Sequence, residues 1–121
     1  MLKLKIPNKM ILEQQQKKIL NNIIKNARDY EYSKSNRIIE LAVKEWQENL
    51  KTNQEAYDKI YKKVIKNEHY LVRRYSDLND EKMVRIAAEL HVEEIIDEDL
   101  FNELDKNIQE EIFKLSNIAK P

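Results

Sequence analysis

The chain is organised around SKSNRIIELAVKEWQENL, residues Ser33 to Leu50. Two serines flank Lys34 where apolar periodicity begins. Serine is a favoured helix N-cap because its hydroxyl accepts from a backbone N–H that the helix leaves free. Ile38, Ile39, Ala42, Val43, Trp46 and Leu50 then recur three or four apart, a spacing that gathers side chains on one helical face. Arg37, Glu40, Lys44, Gln47 and Glu48 take the other face. The stretch predicts a capped amphipathic helix.

Upstream, the apolar set Leu12, Ile19, Leu20, Ile23, Ile24 and Ala27 keeps the helical period from Lys9 to about Arg28. Asp29-Tyr30-Glu31-Tyr32 is expected to form the turn between the two helices, without the glycine such turns often use. Pro7 ends an extended start, and Asn8 can cap the helix after it. In that start Leu2, Leu4 and Ile6 alternate with Lys3 and Lys5, the period of a short strand. The other reading of these residues is a terminus whose leucines cover the first helix.

A strand, a helix and a Ser-capped helix in this order resemble the ribbon-helix-helix family of DNA-binding dimers. The resemblance covers residues 1–50 and implies that two strands pair across a two-fold axis and enter the major groove. It implies base-edge contacts from Lys3 and Lys5. It also implies a phosphate anchored at the second helix start by Ser33, Lys34, Ser35 and Asn36, where free N–H groups and the helix dipole favour an anion. The first helix is about two turns longer than the family's. The family's roles include transcriptional repression, plasmid partition, and marking a transfer origin for a relaxase.

Beyond Leu50, Thr52-Asn53-Gln54-Glu55 has the form of a capping box and predicts a fresh helix start. Alternatively Trp46, Leu50, Tyr57, Tyr61 and Val64 lie on one long helix reaching about residue 67. The aromatic stripe suits a core or a dimer seam; stacking on bases would need the tyrosines exposed beside Lys59, Lys62, Lys63 and Lys66. Ser76-Asp77-Leu78-Asn79-Asp80 is a turn and cap cluster. Glu81–His91 is a short amphipathic helix with Met83, Ile86, Ala87 and Leu90 inside. It looks like half of a helix-turn-helix, with His91 in place of the turn glycine. Glu93, Glu94, Asp97, Glu98 and Asp99 are hard-metal ligands by type but lack a regular loop spacing, and they read as a solvated acidic face. Leu100, Leu104, Ile108, Ile112 and Leu115 mark a final helix, with Phe101 and Phe113 beside the stripe.

Composition narrows the function. The 121 residues contain no glycine and no cysteine. Phosphate-cradling loops and nucleophile elbows need glycine, and thiolate sites need cysteine. His69 and His91 stand in no triad or ligand spacing. The expectation is a protein that is not an enzyme and uses no cofactor. Apolar runs are too short to span a bilayer and the start has no secretory h-region, so a cytoplasmic location is expected. Residues 1–65 carry 14 Lys/Arg against 8 Asp/Glu and residues 66–121 carry 8 against 14, a split of +6 and −6. A basic front half suits a polyanion, although charge also scatters by chance on helix surfaces.

The expected architecture is thus mainly α. A ribbon-helix-helix-like dimer module over residues 1–50 precedes an acidic helical domain over residues 51–121, the latter for oligomerisation or partner binding. Double-stranded DNA is the expected ligand of a homodimer or tetramer, and a protein partner can dock on the C-terminal helices. The competing class is a helical protein–protein module, such as a phage-encoded inhibitor or an antitoxin, with no DNA role.

Overall fold

A computed structural model describes residues 11–119. Regular structure among them is entirely helical: α1 (Gln14–Gln47), α2 (Asn53–Tyr75), α3 (Asp80–Val92), α4 (Glu98–Glu103) and α5 (Lys106–Ala119). No strand occurs among the described residues, which overturns the ribbon-helix-helix-like module as the fold of the first 50 residues. The proposed strand and its Lys3 and Lys5 lie outside the described residues.

The decisive correction falls on Ser33 to Leu50. Instead of opening a helix, Ser33 and Ser35 lie inside α1, which runs without a break through Asp29-Tyr30-Glu31-Tyr32. Nothing in that tetrapeptide obliges a stop, since no proline or glycine occurs between Pro7 and the end of α1. Ser33 Oγ donates to the Tyr30 carbonyl at 2.7 Å and Ser35 Oγ to the Glu31 carbonyl at 3.2 Å. These are the back-bonds of serines within a helix, not the forward bonds of a cap.

The chain divides into two compact units, and α1 contributes to both, so the division does not follow the boundary expected at residue 50. One unit combines residues 11–27 with residues 77–119. Its core is built on α3, where Met83, Val84, Ile86, Ala87, Ala88 and Leu90 are all buried. Helix α3 packs on α5, and Ser116 Oγ donates to the Ala88 carbonyl at 3.3 Å, an approach that small side chains permit. Leu20, Ile23 and Ile24 from α1 are fully buried in the same unit. Polar ties fix the register of this end of α1. The buried Gln16 accepts from the Asp105 N–H at 2.8 Å, Lys17 pairs with Asp80 at 3.4 Å, and Asn26 donates to Asp97 at 3.2 Å. The final apolar stripe is divided between α4 and α5 by a break at Leu104-Asp105.

The second unit, Arg28–Ser76, is a helical hairpin of the later part of α1 and all of α2. The expected break is present, with Thr52 Oγ1 accepting from the Glu55 N–H and Glu55 Oε1 accepting from the Thr52 N–H. Helix α1 ends on Asn49 in the left-handed region at φ 60°, and the Leu50 N–H donates back to the Glu45 carbonyl at 2.9 Å. This is the terminator that glycine usually supplies, taken here by the residue that tolerates it next best.

Candidate protein-interaction surface

Three sets of contacts fix the pairing of the hairpin. Near the loop, Trp46 Nε1 donates to Asn53 Oδ1 at 2.7 Å, and Lys59 pairs with Glu45 at 2.6 Å. That donor holds the Glu45 carboxyl below the usual carboxylate range. At the far end Glu31 accepts from Tyr70 at 3.1 Å, from Arg74 at 3.1 Å and from the Tyr75 hydroxyl. Moving back along α1 from Glu45 to Glu31 moves forward along α2 from Lys59 to Arg74, as an antiparallel pair requires. The far-end network is enclosed, with the Arg74 and Glu31 side chains only 7% and 12% exposed. Burial, and then the bond to Glu31, push the Tyr75 hydroxyl well above its ordinary value of 10.0.

Between these ties the seam is narrow and poor in apolar side chains. Ala42 and Ala56 are buried in it, and Ser35 and Asn67 are half-buried. The larger apolar side chains are therefore left outside the seam. At 100° per residue, Ile39, Val43 and Trp46 fall on one flank of α1. Tyr57, Ile60, Tyr61 and Val64 fall on the flank of α2 that faces the same way in an antiparallel pair, and Tyr32 extends the row. Ile39, Val43 and Ile60 are half-buried, Trp46, Val64 and Tyr32 are exposed, and Tyr57 and Tyr61 are 70% and 58% exposed. Within residues 32–68 of the two helices, no Lys or Arg falls on this face by the same step.

The opposite face is built differently. Ile38, Leu41, Ala42, Lys44, Glu45 and Glu48 of α1, with Lys59 and Lys63 of α2, line a groove of about 420 Å³. Leu41 is 61% exposed there. By the helical step Lys62 and Lys66 fall on the outer bank of the same side. A second concavity, about 440 Å³, lies at the loop around Trp46, Asn49, Thr52, Asn53 and Glu55. Thr52 and Glu55 there are engaged in the capping box, and Trp46 and Asn53 in their mutual bond. The donors of Thr52 also hold the Glu55 carboxyl below its ordinary value.

The residues singled out in the sequence are not brought together as expected. Ser33, Lys34, Ser35 and Asn36 are successive positions of a continuing helix, so they point around its circumference and offer no free N-terminus to a phosphate. Lys34 Nζ instead lies 5.7 Å over the Tyr30 ring. Tyr57 and Tyr61 stand on the apolar flank and the lysines on the other, so the pairing needed for base stacking is not made. Asp97 caps α4 through the Leu100 N–H, and among the described residues no group of three His, Asp or Glu side chains converges as a metal site would. His91 stacks on Phe101 at 6.0 Å and meets Phe113 edge-on at 5.1 Å. Sequence reading missed the Glu31 network. Tyr70 and Arg74 at a spacing of four were its one local signal, because the partner lies 39 residues or more away in sequence.

No family model, curated protein or solved structure matches the chain. Among the described residues no helix is long and apolar enough to cross a membrane.

Proposed function

We propose that this protein is a non-catalytic helical interaction module that associates with a second copy of itself through the apolar face of its hairpin. One observation carries the reading: Trp46, Tyr57, Tyr61 and Val64 are exposed on one side of a two-helix unit that, along this stretch, buries only Ala42 and Ala56, its large buried side chains Leu71 and Tyr75 lying at the far end. Within the hairpin unit itself no third helix covers such a face, and packing against another helical pair is the usual way to bury it. Tyr32, Trp46, Tyr57 and Tyr61 are 41–70% exposed, and with aromatic side chains of roughly 150–250 Å² each the face leaves on the order of 400 Å² uncovered. That is about half of the roughly 800 Å² each partner gives to a stable complex, and the half-buried Ile39, Val43 and Ile60 beside it add to the contact. A second copy suits it because the face carries no lysine or arginine, so two-fold pairing brings no cations together.

The chain has no cysteine, which makes single-cysteine variants clean reporters. Under mild oxidation Tyr61→Cys is expected to give a disulfide-linked dimer, and Lys62→Cys, one residue on and facing away, is expected to form no cross-link. Equal cross-linking at both positions would remove the face from the interface. Duplex DNA is the competing ligand. A gel shift at about 0.15 M salt is expected to leave duplex unretarded at micromolar protein, and a shifted band would restore the DNA reading.

A further inference from the structure

The lysine-lined groove lies on the side of the hairpin opposite the face proposed for self-association. We propose that it binds an acidic amphipathic helix from another protein. The groove offers two kinds of contact in one place. Ile38 and Leu41 are exposed aliphatic side chains on its α1 bank, Lys44, Lys59 and Lys63 line it beside Glu45 and Glu48, and Lys62 and Lys66 follow at helical spacing on the outer side of α2. Lys59 is held by Glu45. Among the described residues no carboxylate lies within ion-pairing distance of Lys62, Lys63 or Lys66.

A helix with leucines at i, i+3, i+4 and i+7 would place its apolar stripe against Ile38 and Leu41, and acidic residues beside that stripe would meet the lysines. The volume of about 420 Å³ admits side chains of this size, not a folded domain. Nucleic acid shares the attraction to lysine, but it gains nothing from exposed Leu41, whereas an amphipathic helix uses the aliphatic pair and the lysines together. Charge here would set encounter rate and choice of partner, and the aliphatic pair would hold the complex.

The test is a fluorescence-anisotropy titration of the full chain against three labelled probes. They are a peptide of about 20 residues, long enough for several helical turns, with leucines at helical spacing and Glu or Asp elsewhere; a scrambled peptide of the same composition; and a duplex DNA. The patterned peptide is expected to bind at least about tenfold more tightly than the scramble and to weaken with added salt. Leu41→Asp and, separately, Lys63→Glu are expected to weaken it by about tenfold with the helical circular dichroism unchanged. Both residues are solvent-facing or half-exposed, so the fold does not depend on them. Tyr61→Glu, which disrupts the self-association face, is expected to bind the peptide as the unaltered chain does, so that failure of either proposal is seen separately. Equal binding of patterned and scrambled peptides, tighter binding of the duplex, or indifference to Leu41→Asp would each overturn the groove proposal.

Discussion

Glu31 is the residue whose setting differs most from what its neighbours in sequence suggest. Flanked by Tyr30 and Tyr32, it reads as part of an exposed turn, yet its carboxylate receives Tyr70, Arg74 and Tyr75 across the hairpin. A nearly enclosed charge with three donors is costly to disturb, since removing the anion leaves Arg74 without its counter-charge in a low-dielectric site. Glu31→Gln is therefore expected to lower stability by roughly 2–3 kcal/mol in urea melts. A change under about 0.5 kcal/mol, the range of surface substitutions, would show the network to be idle. Tyr75 adds a pH dependence of known sign. Its proton is held more tightly in the folded chain than in the unfolded one, so this contribution is constant below the ordinary value of 10.0 and is lost as pH rises above it. The alkaline loss of stability is expected to be smaller in Tyr75→Phe, and an unchanged alkaline limb in that variant would count against the bond.

At the scale of elements, the legible parts were those whose cause is local. The Thr52–Glu55 capping box and the Asn79 cap are written in three or four adjacent residues, and both occur. The helix predicted over residues 81–91 appears as α3, with Met83, Ile86, Ala87 and Leu90 buried as expected. The misreading of Ser33-Lys34-Ser35 has an equally physical origin. Serine offers its hydroxyl forward to a free N–H or back to a carbonyl one turn earlier, and sequence alone does not choose between them. What chooses is whether the preceding residues remain helical, and no glycine or proline interrupts them. Likewise, Ile38 belongs to the same spacing as Ile39 and Ala42, but the seam is narrow enough to leave it exposed on the groove side. Alanine substitution separates the two kinds of serine and threonine. Thr52→Ala is expected to cost about 1 kcal/mol, the worth of a cap. Ser35→Ala is expected to be neutral or stabilising by a few tenths, because alanine is the better residue inside a helix. A cost near 1 kcal/mol at Ser35, about the worth of a cap and measured by the same urea melts, would return a helix start to that position.

For the whole molecule, the charge split read along the chain does not coincide with the compact units. Residues 28–76 carry 11 Lys/Arg against 8 Asp/Glu, so the hairpin is only mildly basic and its cations matter through their placement. Lys59, Lys62, Lys63 and Lys66 share one side, and Tyr57, Tyr61 and Val64 share another. A surface divided in this way suits the two proposed associations without conflict, one driven by apolar burial and one steered by charge. The apolar one is the more fundamental, because an uncovered aromatic face exposes the hairpin to non-specific association unless a specific partner covers it. The most direct measurement is sedimentation velocity of the full chain over concentrations of about 1–100 μM, the range in which a micromolar interface changes occupancy. The mass is expected to rise from monomer toward dimer across that range in the unaltered chain. Tyr61→Glu is expected to stay monomeric throughout with its helical circular dichroism intact. A chain that remains monomeric at every concentration, or a Tyr61→Glu variant that dimerises as the unaltered chain does, would contradict assembly through this face.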